Sequence, residues 1–505
     1  MWSGLAVTAL TVIRRTEMTD KRDEIRFGTD GWRGIIADDF TFANVARLAQ
    51  ATAEFLASPQ RAKLSIYADW KTEYRPATEG VIIGYDTRFL SQEFADYFAR
   101  VFHDNGIPVA LSDSPAPTPA ISYDVINRRQ AAGVMITASH NPPIYNGVKF
   151  KPEYGGSAPK EVTDAIETRL PAVAPIPKSL PENITKIDLK GPLLAKIKTL
   201  IDPARLTAAP VLVVIDSMYG SAQGYVKSLL DDYDVLSLPI RAKRDPLFGG
   251  IDPEPLDRNL VALRAVIASR YQKTKRIIGV ATDGDGDRIS AMDERGSFID
   301  MQRTFALILR YLVEKRGWRG AVVKSFALTD MATKMCAQYG LPLIEVPIGF
   351  KYACEQILKR GDVLIAAEES GSIGVKGHIP DRDGVLCSLL LTEIAATARG
   401  TMSEEIENMF AEVGPHFYRR CDLHIKTRQE IVAKLLEQPP ETFAGRPVKA
   451  IETLDGLKLR FADGWLLLRA SGTEPILRLY CEMPTLDDVE EVLSMAERFA
   501  RAEER

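Results

Sequence analysis

Three stretches of this chain repeat one order of events: a β-branched apolar run, a helical stretch, a second short run after a turn, and a third run that stops at a polar loop. In the first copy the runs are Val81-Ile82-Ile83-Gly84-Tyr85-Asp86, Gly106-Ile107-Pro108-Val109 and Val134-Met135-Ile136 before Thr137. In the second they are residues 211–216, Tyr233-Asp234-Val235-Leu236 and Ile277-Ile278-Gly279-Val280-Ala281 before Thr282. The third has residues 321–324, Gly340-Leu341-Pro342-Leu343-Ile344 and Val363-Leu364-Ile365-Ala366 before Ala367. Apolar runs alternating with helical stretches predict βαβ units and largely parallel sheets, and a recurring period predicts several copies of one unit. The expected fold is therefore α/β: three similar domains with mixed, largely parallel sheets, plus a smaller C-terminal α+β domain beyond Gly414-Pro415, where the repeat stops.

The expected boundaries are 25–170, 185–302, 303–412 and 413–505, with the proline-rich residues 171–181 as a semi-rigid connector. Residues 1–24 read as a disordered extension; Met18-Thr19-Asp20-Lys21 resembles an ordinary start, which leaves residues 1–17 in question as native sequence. The apolar stretch 5–13 lacks a preceding basic region and is too short to span a bilayer, so no membrane partner is expected. Lys plus Arg number 64 against 68 Asp plus Glu, leaving no basic surplus to grip a nucleic acid. Five widely spaced cysteines without a CxxC pair argue against a disulfide framework and fit a reducing cytoplasm. The expected assembly is a monomer or weak homo-oligomer.

In parallel α/β sheets ligands gather beyond the carboxyl ends of the strands, which directs attention to the loop closing each third run. The first loop, Thr137-Ala138-Ser139-His140-Asn141-Pro142, puts a serine at a turn enforced by Asn-Pro. Alone it reads more readily as an ordinary turn serine than as a nucleophile. The second, Thr282-Asp283-Gly284-Asp285-Gly286-Asp287-Arg288, sets three carboxylates at alternate positions, an oxygen-rich site for Mg²⁺ or Ca²⁺. An EF-hand would use Asp283, Asp285, Asp287 and Glu294, but it needs glycine where Arg288 stands and a helix where an apolar run precedes. With three protein carboxylates, Mg²⁺ keeps positions for water and phosphate oxygens, which points to phosphoryl chemistry. The third loop, Glu368-Glu369-Ser370-Gly371-Ser372, suits a polyol or simply caps a helix. Near the C-terminus, Arg469-Ala470-Ser471-Gly472-Thr473 with Arg478 combines guanidinium, hydroxyl and exposed backbone N–H groups, a phosphate grip.

These motifs, together with Gly28-Thr29-Asp30-Gly31-Trp32-Arg33-Gly34, resemble in order the signature set of the α-D-phosphohexomutases across residues 25–505. The resemblance implies four domains around a central cleft, with Ser139 as the phosphoserine that donates and recovers a phosphoryl group. It implies Mg²⁺ held by Asp283, Asp285, Asp287 and a phosphoserine oxygen. Arg33, Arg288 and Lys149 would supply further positive charge, Lys149 resembling a general acid or base. Glu368 and Ser370 would hold sugar hydroxyls, and Arg469, Ser471, Gly472, Thr473 and Arg478 the distal phosphate. Ser372 stands where some relatives carry a histidine, and His378 is the expected substitute. His140 is demoted from catalytic base to loop organiser. The loop with Gly349, Phe350 and Lys351 resembles the glucose-type members. The implied reaction converts glucose 1-phosphate and glucose 6-phosphate through a hexose 1,6-bisphosphate that is both intermediate and activator. Mannose or glucosamine phosphates are the alternative substrates, and a phosphatase or a non-catalytic sugar-phosphate sensor are further alternatives.

Overall fold

The computed structural model describes residues 25–28, 30–178, 184–472 and 475–504. Three of its sheets share one plan. In the first, strand Val81–Tyr85 lies between parallel strands Val109–Ser112 and Ala132–Ile136, and Ala132–Ile136 turns back antiparallel into Tyr145–Pro152. The second repeats this with Leu212–Asp216 between Ser237–Ile240 and Ile277–Thr282, the latter returning as Ile289–Met292. In the third, Ala321–Ser325 lies between Leu343–Val346 and Val363–Ala367, which returns as Ile373–Val375. The central strands are buried along their whole length, as expected for sheets covered on both faces. Consequently the three chemically loaded loops occupy one equivalent position, each the hairpin after its sheet's third parallel strand.

Two details differ from the sequence reading. Strand Thr185–Ile187, expected to open the second domain, extends the first sheet beside Val109–Ser112. The helix that follows, Lys190–Lys198, packs Leu193 and Ile197 into a core shared with Ala120 and Ile121 of helix Thr118–Asn127. In the second copy the run at residues 233–236 is a turn, with Asp234 left-handed at φ 54°, and the strand begins at Ser237. The N-terminal extension lies outside the described residues.

Helix Gly384–Thr397 is buried on every side except at its last residue and joins the second and third units. Its start is fixed by the Asp383 carboxylate, which accepts from the Val385 and Leu386 N–H groups, while the Gly384 N–H donates to the Gly286 carbonyl of the acidic loop. Such uniform hydrophobicity marks a core helix. Among the described residues no single helix is long and apolar enough to cross a membrane.

The last unit is an antiparallel sheet of Phe417–His424, Ile476–Met483, Trp465–Ala470, Leu457–Arg460 and Ala450–Glu452, backed by helix Leu486–Glu503. It docks on the third unit through Trp465, Leu467 and Tyr480 against Phe326 and Ala327. Lys458 reaches into this seam, its ammonium 3.7 Å from the Phe326 ring centroid and 3.3 Å from Glu345. Glu482 accepts from the Asp330 N–H at 2.8 Å and from the Trp465 indole at 3.3 Å. Burial, reinforced by Asp330, pushes the Glu482 carboxyl up to about 7. A carboxyl raised in the folded state contributes stability that is present below its unfolded value and lost as pH rises through the folded value. Chemical unfolding at pH 5 and pH 8 is therefore expected to show a larger stability loss in the parent than in Glu482→Gln, the difference being this seam's share.

Candidate active site

Ser139 is set by what surrounds its backbone. Its φ of 53° is left-handed, an arrangement that costs a non-glycine residue about 1 kcal/mol or more and persists only where neighbours enforce it. The Thr137 hydroxyl accepts from the Ser139 N–H at 2.8 Å and donates to Asp86 at 2.6 Å. Arg88, fully buried, donates to the carbonyls of Ser139, Asn141, Pro142 and Tyr145 at 2.7 to 3.0 Å. Its guanidinium pairs with Asp86 at 3.3 Å and lies over the Phe248 ring of the second unit. The Ser139 hydroxyl, only 1% exposed as a residue, donates to Asp283 at 2.8 Å and lies 3.3 Å from His140 Nδ1. Burial, then the nearby Arg288, Arg33, Lys149 and Arg88, hold His140 far below the usual histidine range, so its ring is neutral.

The carboxylates of Asp283, Asp285 and Asp287 are buried, with one oxygen from each within 4.8 Å of the others. Burial and the two neighbouring carboxylates push Asp283 well above its usual value. Asp285 Oδ1 and Asp287 Oδ1 are buried without a hydrogen-bond donor. Three convergent carboxylates, two of them with an oxygen that no donor reaches, fit a divalent cation. Glu294, the twelfth position of the EF-hand alternative, instead accepts from the Ser403 hydroxyl at 2.6 Å, and a strand precedes the loop. The EF-hand reading is thereby excluded.

Lys149 lies 2.8 Å from Asp285, 2.7 Å from Asp287 and 3.0 Å from Asp30. Burial opposes its charge, but Asp285, Asp287 and Asp30 outweigh that and hold the ammonium firmly protonated. Arg382 completes the cluster: its Nε lies 2.9 Å from Asp287, Nη2 pairs closely with Asp30, and Nη1 is 4.0 Å from Glu368. Arg33 donates to the Asn141 side chain at 2.7 Å, and burial, then the neighbouring Arg288, lower its affinity for its proton. Arg288 pairs with Glu254 at 3.2 Å, and a single bridge joins its backbone to Ser372, placing the acidic loop against the third one.

In that third loop, burial and Glu369 push Glu368 up to about 7, opposed by Arg382, Arg288 and the Gly349 N–H. The hydroxyls of Ser370 and Ser372 lie 3.1 Å apart. Lys351, half-buried in the helix that Gly349 opens, is lowered by burial and then by Lys160. On the last sheet Arg469 and Arg478 are cross-strand partners. Arg469 donates to Asp455 at 3.0 Å; Arg478 lies 3.9 Å from Asp422. The buried Ser471 presents its carbonyl to Arg428, Gly472 is exposed, and Thr473 lies outside the described residues.

Four consecutive profiles of the phosphoglucomutase/phosphomannomutase family match this chain in order: alpha/beta/alpha domain I at residues 67–175, domain II at 193–296, domain III at 300–413 and the C-terminal domain at 426–500. The chain belongs to that family. It is accordingly a phosphohexomutase, an isomerase that transfers phosphate intramolecularly. A Thermococcus kodakarensis protein named phosphoglucomutase/phosphomannomutase is 28% identical over 93% of this chain and 97% of its own. A Carboxydothermus hydrogenoformans phosphoglucosamine mutase is 27% identical over 94% of this chain and 99% of its own. Among solved structures, a Thermus thermophilus protein provisionally named a phosphomannomutase superposes with a TM-score of 0.82 at 34% identity, covering 94% of this chain and 99% of that one.

The phosphohexomutase cleft thus gathers Ser139, the acidic triad, Arg33, Lys149, Arg288 and Glu368 but not His378. That histidine pairs with Asp383 at 2.8 Å, stacks near Tyr123 and lines a separate cavity with Trp70 and Tyr154. Arg382, four residues on, reaches the cluster in its place; only the Asp-Arg-Asp run before a buried helix signals it in the sequence. Arg88 was also missed, although it follows the first parallel strand at its ligand-facing end. Gly284 fixes how closely the first two loops approach, because a Cβ there would lie 2.4 Å from the Ser139 carbonyl oxygen. Gly284→Ala is expected to displace Ser139 from Asp283 and lower isomerase kcat by about 10²-fold, on the scale of other misplacements of reacting groups. Circular dichroism should be unchanged, and steady-state assay checks the rate.

Proposed function

We propose that this chain interconverts glucose 1-phosphate and glucose 6-phosphate through a phosphoryl group carried on Ser139. The observation that carries this reading is the buried Ser139 hydroxyl, 2.8 Å from the first of three clustered carboxylates. Asp283, Asp285, Asp287 and a phosphoserine oxygen would hold Mg²⁺, and the unpaired oxygens of Asp285 and Asp287 suit that role. Bound there, Mg²⁺ supplies neutralisation of the charge on a transferring phosphoryl group.

Ser139 gives its phosphoryl group to the free hydroxyl of the sugar phosphate, the resulting hexose 1,6-bisphosphate turns end for end, and its other phosphate returns to Ser139. Lys149, kept protonated among three carboxylates, gives a proton to the oxygen that loses the phosphoryl group and takes one back from the hydroxyl that gains it. Arg33 and Arg288 neutralise charge around it. Glu368 and Ser370 bind sugar hydroxyls, with Gly349 and Lys351 beside them. Arg469, Ser471, Gly472, Thr473 and Arg478 hold the phosphate at the far end, where a guanidinium pair suits a dianion. Relatives carry glucose, mannose and glucosamine names, so the preference for glucose rests on the Gly349-Phe350-Lys351 loop. All five cysteines are free thiols, in keeping with a cytoplasmic site of action.

Intact mass spectrometry should find one phosphate, located on Ser139. Ser139→Ala should lose at least about 10³-fold in activity, as expected for removal of a nucleophile. Chelation should abolish isomerisation and Mg²⁺ restore it. A preference for mannose or glucosamine phosphate overturns the choice of sugar, and phosphate release rivalling isomerisation overturns the mutase in favour of a hydrolase.

A further inference from the structure

The arginine assigned to the distal phosphate and the loop assigned to sugar choice belong to different sheets, yet one carboxylate touches both. Asp455 lies in the turn between strands Ala450–Glu452 and Leu457–Arg460. Its Oδ1 accepts from Nε of Arg469 at 3.0 Å, and its Oδ2 accepts from the backbone N–H of Ile348 at 2.9 Å. Both bonds have an ionised acceptor, which makes them stronger and more directional than neutral ones. The turn itself has little freedom. Gly456, at φ 104°, carries it, and a Cβ there would lie 2.5 Å from the Leu468 carbonyl on the strand that bears Arg469.

On the other side, Ile348 packs against the Phe326, Trp465 and Tyr480 seam. Gly349, the next residue, opens helix Phe350–Arg360, and its N–H acts on the Glu368 carboxylate. A polar path therefore runs from Arg469 through Asp455 to Ile348, Gly349 and Glu368. Asp455 engages Arg469 at Nε and so orients the terminal nitrogens, the donors that a phosphate takes in pairs.

We propose that Asp455 is a positioning residue that couples the distal-phosphate grip to the sugar-choosing loop, so that hexoses are told apart correctly only while the last unit is seated on the third. This deepens the reading above and rests on its assignment of Arg469 to the phosphate. Asp455→Asn retains an oxygen for the Ile348 N–H but removes the anion facing Arg469, whereas Asp455→Ala removes both bonds. Steady-state kinetics with glucose 1-phosphate and mannose 1-phosphate separate the two halves. Asp455→Ala should raise KM for both sugars about tenfold and shift the ratio of their kcat/KM values at least about threefold, while Asp455→Asn raises KM with the ratio unchanged. A merely structural role would lower kcat with KM and the ratio intact, and that result overturns the proposal. So does an unaltered KM in Asp455→Asn, which decides the matter should Asp455→Ala not fold. A parent enzyme inactive on every hexose phosphate overturns the functional reading and this inference with it. An active parent indifferent to both substitutions overturns the inference alone.

Discussion

Everything in the cleft depends on a buried lattice of opposite charges in which no member is tolerable alone. Asp30, Lys149 and Lys151 come from the first unit, Asp285 and Asp287 from the second, Asp381, Arg382 and Glu368 from the third. Removing such ions from water costs several kcal/mol each, and only close opposite partners offset that. Removing any one member would leave its partners buried and unpaired. The lattice therefore specifies one relative placement of the three repeats, and brings Ser139 to the acidic triad by the same stroke.

That dependence explains which parts of the site could be read from the sequence. The loops were legible because their local composition is extreme and their topological position recurs: a serine before Asn-Pro, aspartates alternating with glycines, paired glutamates. The α/β class followed from the same recurrence. What escaped notice was decided by the packing of distant segments. Arg88 matters because four carbonyls of a loop fifty residues away converge on it. Arg382 matters because helix Gly384–Thr397 is anchored at the acidic loop and delivers it there. His378 was a reasonable candidate by residue type, but its partner Asp383 is committed to capping that helix and draws the ring away from the cleft. Strand Thr185–Ile187 was placed with the wrong neighbour because a short edge strand carries no mark of the sheet it joins.

The last unit follows a different logic. Among the described residues it shares no ion pair with the acidic triad; an aromatic seam holds it, with Lys458 near two rings and Glu482 accepting from the Trp465 indole N–H, together with the Lys458–Glu345 and Arg460–Asp330 pairs. Burial lowers the Lys458 ammonium to about 8 and raises the Glu482 carboxyl to about 7, so these two groups titrate near neutrality.

The equivalence of the three hairpin loops has a consequence for how such a protein can change over generations. The loops we assign to phosphoryl transfer and to sugar choice hang from separate sheets. The residues 347–352 contribute no ion to the charge lattice; a backbone N–H tethers them to Asp455, and they meet the lattice through the Gly349 N–H at Glu368 and the Phe350 ring beside Arg382. Mutation can therefore explore the side chains of that segment other than Phe350 without removing a buried ion. The scaffold is evolvable at its recognition edge while its reactive centre stays under strict constraint, which makes a spread of sugar specificities on one unaltered catalytic frame an accessible outcome of drift and selection.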